Sequence, residues 1–306
     1  MIVAAGEALV DLTHLEVDGV TAYVPHPGGS PYNVAVGLGR LGVPTAFLGR
    51  IARDHFGRLL RDHLHGSGVS LDLVVDAGAE RTTVAFVHDA SGEPEYSFYA
   101  EGSADRMLLP EHLPELPSAA ALHLGSISLV LEPTGSTLEG LLRREAGTRL
   151  ISLDPNVRPG LIDDPAAYRR RLGRWMELVD VVKVSAVDLA WLTPGATLES
   201  TAADWLEAGA ALVLVTAGPE GSWAITDQTA VHADAPQVTV ADTIGAGDAL
   251  TAGALAHLHD HGWLSRERVA SLTADQLHAL LTEANAVAAD TCTRRGAEPP
   301  WRQRPA

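Results

Sequence analysis

The sequence predicts an α/β fold built on a mostly parallel sheet covered by helices on both faces. Short apolar runs recur without polar alternation, as strands buried on both faces do. Amphipathic stretches of helical period separate most of them. Two further segments alternate apolar and polar residues, which adds half-buried strands outside the main pattern.

In chain order, residues 1–5 form the first buried strand and 13–25 the first alternating segment. Residues 33–41 carry apolar side chains at helical spacing, 45–51 return to a continuous apolar strand, and 56–65 are again amphipathic. Residues 82–100 alternate around the turn formers Asp89-Ala90-Ser91-Gly92-Glu93-Pro94, which predicts a hairpin. Strands at 120–124, 150–153, 179–184 and 211–216 then interleave with helices at 133–145, 166–178 and 202–208. In such sheets ligands bind beyond the carboxyl ends of the strands, so the residues just after each strand are the site candidates. A length of 306 residues fits one α/β domain, and neither repeats nor low-complexity segments divide it.

Composition narrows the function. With 22 basic and 39 acidic side chains, the net charge is −17. That field disfavours bulk binding to nucleic acid or to an anionic membrane. Any anionic substrate would need locally placed donors. A single cysteine, Cys292, leaves no intramolecular disulfide and suits a reducing cytoplasm. The apolar start is interrupted by Glu7 and Asp11 and lacks a basic leader, so it reads as a strand and not a signal peptide. No apolar run approaches the ~20 residues that span a bilayer. Lys183 is the only lysine among the 22 basic residues. Either chance or a need for a compact cation near phosphate or ribose explains it.

The richest string is Asp242-Thr243-Ile244-Gly245-Ala246-Gly247-Asp248, running into an apolar helix. Small residues let backbone approach a ligand, and the free N–H groups of a helix N-terminus favour an anion such as phosphate. Asp248 would repel that anion. Its presence makes sense as a general base that takes a proton from an attacking hydroxyl; the alternative is a cap for the helix. A second string, Gly28-Gly29-Ser30-Pro31-Tyr32-Asn33-Val34-Ala35, has glycines that bring backbone amides close to a polyol and opens a helix at Ser30 or Pro31. Asn33 supplies a donor and an acceptor.

Together these strings resemble the two signatures of the PfkB, or ribokinase-like, family of carbohydrate kinases, and the likeness runs from Gly6 to Gly296. The resemblance implies a three-layer sandwich over residues 1–306, with the alternating segments 13–25 and 82–100 forming a small β-lid. In relatives that lid is sometimes shared across a homodimer. It implies ATP-dependent phosphorylation of a sugar hydroxymethyl group, with Asp248 as base and Gly245, Ala246 and Gly247 as the anion hole. Sugar contacts would come from Asp11, Gly28, Gly29, Asn33, Phe98, Asn156 and Arg158. ATP would lie beside Lys183, Ser185, Thr216, Gly218, Gly221 and Asn285. Ser185-x-x-Asp188 stands where the family has N-x-x-E. Its spacing reads as a capping box with Asp in place of the usual Glu, and the resemblance implies that Asp188 organises Mg²⁺-bound water. Asp242, Ile244 and Gly296 would supply oxygens to a monovalent cation such as K⁺.

Among branches, Asp154-Pro155-Asn156-Val157-Arg158 and Cys292-Thr293-Arg294-Arg295-Gly296-Ala297 look most like bacterial fructokinases. Kinases of 2-keto-3-deoxygluconate place an arginine after a lid tyrosine pair, where this chain has Phe98-Tyr99-Ala100, which favours a neutral sugar. Ribokinase and nucleoside kinase activities remain open, as does a sugar- or nucleotide-binding regulator on the same fold. Other chemistry is unsupported. His63 and His65 point to different helix faces, there is no HExxH, no GxSxG, and no Walker A loop.

Overall fold

The continuous apolar runs lie side by side in the computed structural model, which describes residues 1–90, 93–116 and 118–302. Among the described residues the central sheet has nine strands. In spatial order they are Ala230–Ala233, Ser222–Ile225, Leu212–Thr216, Val181–Ser185, Leu150–Asp154, Ala121–Gly125, Ile2–Ala5, Thr45–Leu48 and Val69–Ser70. From Leu212–Thr216 to Val69–Ser70 every pairing is parallel, and only the two pairings made by Ser222–Ile225 at the other edge are antiparallel. Both faces are covered. One buries Leu122, Leu124, Ile151, Leu153 and Trp175; the other buries Ile2, Ala121, Leu212, Leu255 and Leu281. Two-sided burial is why these strands lack polar alternation.

The helices start where local chemistry allows. Asp54 accepts the Gly57 N–H to open His55–Gly66, and Asp164 accepts the Ala167 N–H to open Pro165–Met176. The expected helix at 202–208 begins earlier, as Leu198–Ala208, because Thr197 and Ser200 form a capping box ahead of it. The expected strand 45–51 is a correction: it ends at Leu48, and Arg50–Ile51 leaves the sheet to pair with Val75–Asp76. The intervening Gly49 gives its carbonyl to Val75 N–H, which redirects the chain.

The alternating segments form a separate four-stranded sheet, ordered Val20–Gly28, Leu9–Val17, Thr83–Ala90, Glu93–Tyr99. Its first hairpin turns at Asp18-Gly19, both with positive φ (51° and 76°), the two-residue geometry that matches strand twist. The turn expected at 89–94 falls partly on Ser91 and Gly92, which lie outside the described residues, though Asp89 and Pro94 pair in register. No helix among the described residues is long and apolar enough to cross a membrane.

Candidate active site

Asp248 sits in the first turn of the Ala246–Asp260 helix, which Gly245 caps in the left-handed conformation at φ 76°. A side chain there would be strained, and its Cβ would also come within 2.5 Å of Ala297 Cβ. The partners of Asp248 come from the other signature. Ser30 Oγ donates to its Oδ1 at 2.7 Å, and Asn33 Nδ2 donates to its Oδ2 at 2.8 Å. Ser30 and Asn33 lie in the first turn of Ser30–Arg40, capped by Gly29 at φ 108°. That helix packs so closely on Ala246–Asp260 that a Cβ at Gly37 would stand 2.6 Å from Ala252 Cβ. Sequence positions more than 200 residues apart therefore orient one carboxylate. Burial pushes the Asp248 carboxyl up to about 6, against the pull of the Ser30 and Asn33 hydrogen bonds and the Lys183 charge. A base with such a pKa is ionised at neutral pH yet can accept a proton.

Asp248 stands where two cavities meet. The smaller is lined by Asp11, Gly29, Ser30, Asn33, Phe98, Asn156, Arg158 and Gly245, together with Glu7, Tyr96 and Ser126. The larger, about 800 Å³, is lined by Lys183, Ser185, Asp188, Thr216, Gly218, Gly221, Ala246, Gly247 and Asn285. Asn156, Arg158, Ile244 and Gly245 border both. Nearly all candidate residues thus converge, at the carboxyl ends of the parallel strands.

Asp11 is only 7% exposed and, among the described residues, its carboxylate makes no hydrogen bond. Burial pushes it up to about 7, with Arg158 pulling down and Asp248 pushing up. Gly28 does not line the small cavity; its missing side chain makes room for the Asp11 carboxylate, which a Cβ there would strike. Arg158 stacks over Tyr96 at 5.4 Å and donates to Asn156 Oδ1 at 2.8 Å. Asn156 and Ser126 both have positive φ (38° and 59°) without being glycine, backbone strain that clusters at functional sites.

Two candidates, Asn285 and Asp242, have duties the sequence does not show, and Ser185 has the capping duty that its spacing predicts. Asn285 is buried with its amide committed: Oδ1 accepts from Ser222 Oγ, and Nδ2 donates to Ala233 O and Asp234 O. It holds a wall of the large cavity. Asp242 accepts the Ile244 N–H through Oδ1 and the Gly296 N–H through Oδ2, tying the turn to the C-terminal loop. Neither Asp242 nor Gly296 lines either cavity, whereas Ile244 lines both. Ser185 caps the Ala186–Leu192 helix by accepting Asp188 N–H, and burial raises the Asp188 carboxyl.

Sequence reasoning missed Glu7, Ser30 and Asp154. Glu7 is 2% exposed, accepts Ser30 N–H and Ser128 N–H, and is pushed up to about 7 by burial. A carboxylate in the apolar run before Asp11 is a signal that could have flagged it. Asp154 Oδ2 accepts from Lys183 Nζ at 2.8 Å, in a pair closed to solvent.

A buried carboxylate at the junction of two cavities, with a glycine turn at a helix N-terminus beside it, is the arrangement of a phosphotransferase acting on a hydroxyl. The model of the pfkB family of carbohydrate kinases matches residues 1–304. Over 275 residues the chain is 43% identical to a fructokinase from Rhizobium leguminosarum bv. trifolii, covering 89% of this chain and 84% of that one. Its fold is similar to the crystal structure of a Xylella fastidiosa fructokinase with bound ATP: TM-score 0.88, 29% identity, 97% and 93% of the two chains. A Vibrio cholerae O395 fructokinase with fructose, ADP and calcium aligns with TM-score 0.84 at 30% identity, over 97% and 94%. The chain belongs to the pfkB family of carbohydrate kinases, and it is a sugar kinase of the ribokinase-like fold.

Proposed function

We propose that the protein is an ATP-dependent fructokinase, with the sugar in the smaller cavity and the nucleotide in the larger. The observation that carries this reading is the placement of Asp248 between the two, both oxygens oriented by Ser30 and Asn33. Asp11 receives the sugar hydroxyls, its bare carboxylate suited to accept two donors. Asp248 takes the proton of the attacking hydroxymethyl group, and the Gly245 and Gly247 amides stabilise charge on the transferring phosphoryl group, while the Ala246 N–H is held by the Thr243 carbonyl at 3.2 Å. The walls fit a nucleotide: Val187, Val238 and Val240, exposed at 62%, 39% and 58%, line the same cavity as the anion-binding turn and offer apolar surface.

Among the described residues no cluster of three acidic or histidine ligands exists. Mg²⁺ would be carried by the nucleotide phosphates, in keeping with its retention of water and phosphate ligands, and Asp188, which lines the larger cavity, would hold one of its waters. When bound, Mg²⁺ neutralises phosphate charge. Because Asp242 is occupied by N–H donors, a K⁺ ion at this loop would rest on backbone carbonyls. The small sheet serves as the lid of one domain spanning 1–306. Its outer face leaves Tyr23 and Tyr99 exposed at 45% and 67%, which suits a second copy of the chain. A lid dimer sediments as two copies in wild type and as one after Tyr23→Asp/Tyr99→Asp. A wild-type monomer at micromolar concentration contradicts it. The single cysteine fits a cytoplasmic setting.

Substrate charge is the sharpest test of the pocket. Ala100 is buried and carries no cation, and Arg106 is committed to the Glu132 carbonyl. A sugar acid would lack a dedicated partner and lose a charge-assisted hydrogen bond, about 1.5–3 kcal/mol or roughly 10–150-fold in kcat/KM. Fructose is expected to outperform 2-keto-3-deoxygluconate by that order. Arg158 is the one cation lining the small cavity among the described residues. An equal or better kcat/KM for the sugar acid would show that Arg158 serves it.

A further inference from the structure

Asp154 has no part in the reading above, yet it is among the most buried charges of the site. Register places it beside Lys183: Leu153 pairs with Val182 on the adjacent parallel strand, and the next residue of each strand is Asp154 and Lys183. Their side chains are 1% and 5% exposed, and Lys183 Nζ donates to Asp154 Oδ2 at 2.8 Å. The carboxylate is itself fixed, since Oδ1 accepts Asn156 N–H at 3.0 Å. Above the pair lies the anion turn, where a Cβ on Gly247 would stand 2.7 Å from Lys183 Nζ. Lysine has three N–H donors, and Lys183 lines the nucleotide cavity, so the ammonium keeps donors for that side.

We propose that Asp154 is a positioning residue for phosphoryl transfer, clamping the Lys183 ammonium beneath Gly247 as a fixed positive charge under the turn. This rests on the kinase reading. Without the clamp, a flexible lysine stem could swing into the cavity, where it would bind ground-state phosphate and no longer reinforce the turn. The geometry also accounts for the one lysine among 22 basic residues. The gap under Gly247 admits a compact ammonium and not a planar guanidinium fork. A buried pair of this kind is weak evidence for fold stability, because apolar replacements of similar volume are often neutral. Removing one partner leaves an unpaired buried charge, so single variants report misfolding as well as function.

The test is therefore the Asp154→Asn/Lys183→Met double variant beside Lys183→Arg, each scored for Tm, for kcat, and for KM with fructose and with ATP. With Tm near wild type, the double variant should lose about 10²-fold in kcat while both KM values stay within about threefold. Lys183→Arg, which keeps charge but not shape, should lose a similar factor. A folded double variant with kcat within about threefold of wild type overturns the clamp. If the double variant does not fold, wild-type kcat in Lys183→Arg overturns it. Wild-type turnover in the same assay separates the two levels. An active wild type matched by its variants refutes the clamp alone, and an inactive wild type refutes the fructokinase reading beneath it.

Discussion

Asp248→Asn should lower kcat by about 10²–10⁴ and leave KM for sugar and for ATP within a few-fold, the range for loss of a general base. Asparagine fits the site sterically and can still accept one of the two hydrogen bonds from Ser30 and Asn33. The lesion is thus chemical and not architectural. The same carboxylate sets the acid limb of the wild-type profile. Burial holds Asp248 near 6, and only the ionised form accepts a proton. Turnover should fall as pH drops through that value, and be flat in the variant. Near wild-type kcat in a folded Asp248→Asn protein would remove Asp248 from the mechanism.

Asp11→Asn is expected to act in opposite directions on activity and stability. Losing a charged acceptor for sugar hydroxyls costs about 1.5–3 kcal/mol, or roughly 10–150-fold in kcat/KM for the sugar. Stability moves the other way. Burial raises the folded-state Asp11 from 3.8 to about 7. The stability tied to its protonated form is fully present below about 4 and lost as pH rises through 7. At pH 8 the buried charge then destabilises the fold by on the order of 4 kcal/mol, about three pH units at 1.36 kcal/mol each. Removing it should raise Tm by several degrees at pH 8 and hardly at all at pH 4.5. Thermal scans at the two pH values check this; a Tm difference independent of pH would contradict the burial argument. Glu7, also near 7, acts in the same sense. A sugar kinase that keeps these carboxylates trades stability for a site already desolvated around its substrate.

The parallel strands were legible because burial on both faces leaves an uninterrupted apolar run. The anion turn was legible because Gly245 and Asp248 each have a local reason for their type. Asp18-Gly19 is a two-residue hairpin signal within the first alternating segment. What stayed hidden is what depends on tertiary register. Nothing near Ser30 shows that its hydroxyl reaches a carboxylate 218 positions away. Nothing near Asp154 or Lys183 shows that they face each other under Gly247. Asn285 reads as a ligand group from its position, yet three contacts across the fold occupy its amide. The break at Gly49 follows from a separate two-stranded pairing with Val75–Asp76 that only the folded chain presents.

The central claim is that Asp248 serves a hydroxyl of a neutral sugar with ATP as donor. One coupled assay of ADP release, run with fructose, ribose, 2-keto-3-deoxygluconate and adenosine as acceptors, tests it most directly. The account predicts the highest kcat/KM for fructose, with one sugar phosphate formed per ADP released. ADP release that no acceptor stimulates, or a clear preference for adenosine, would contradict it.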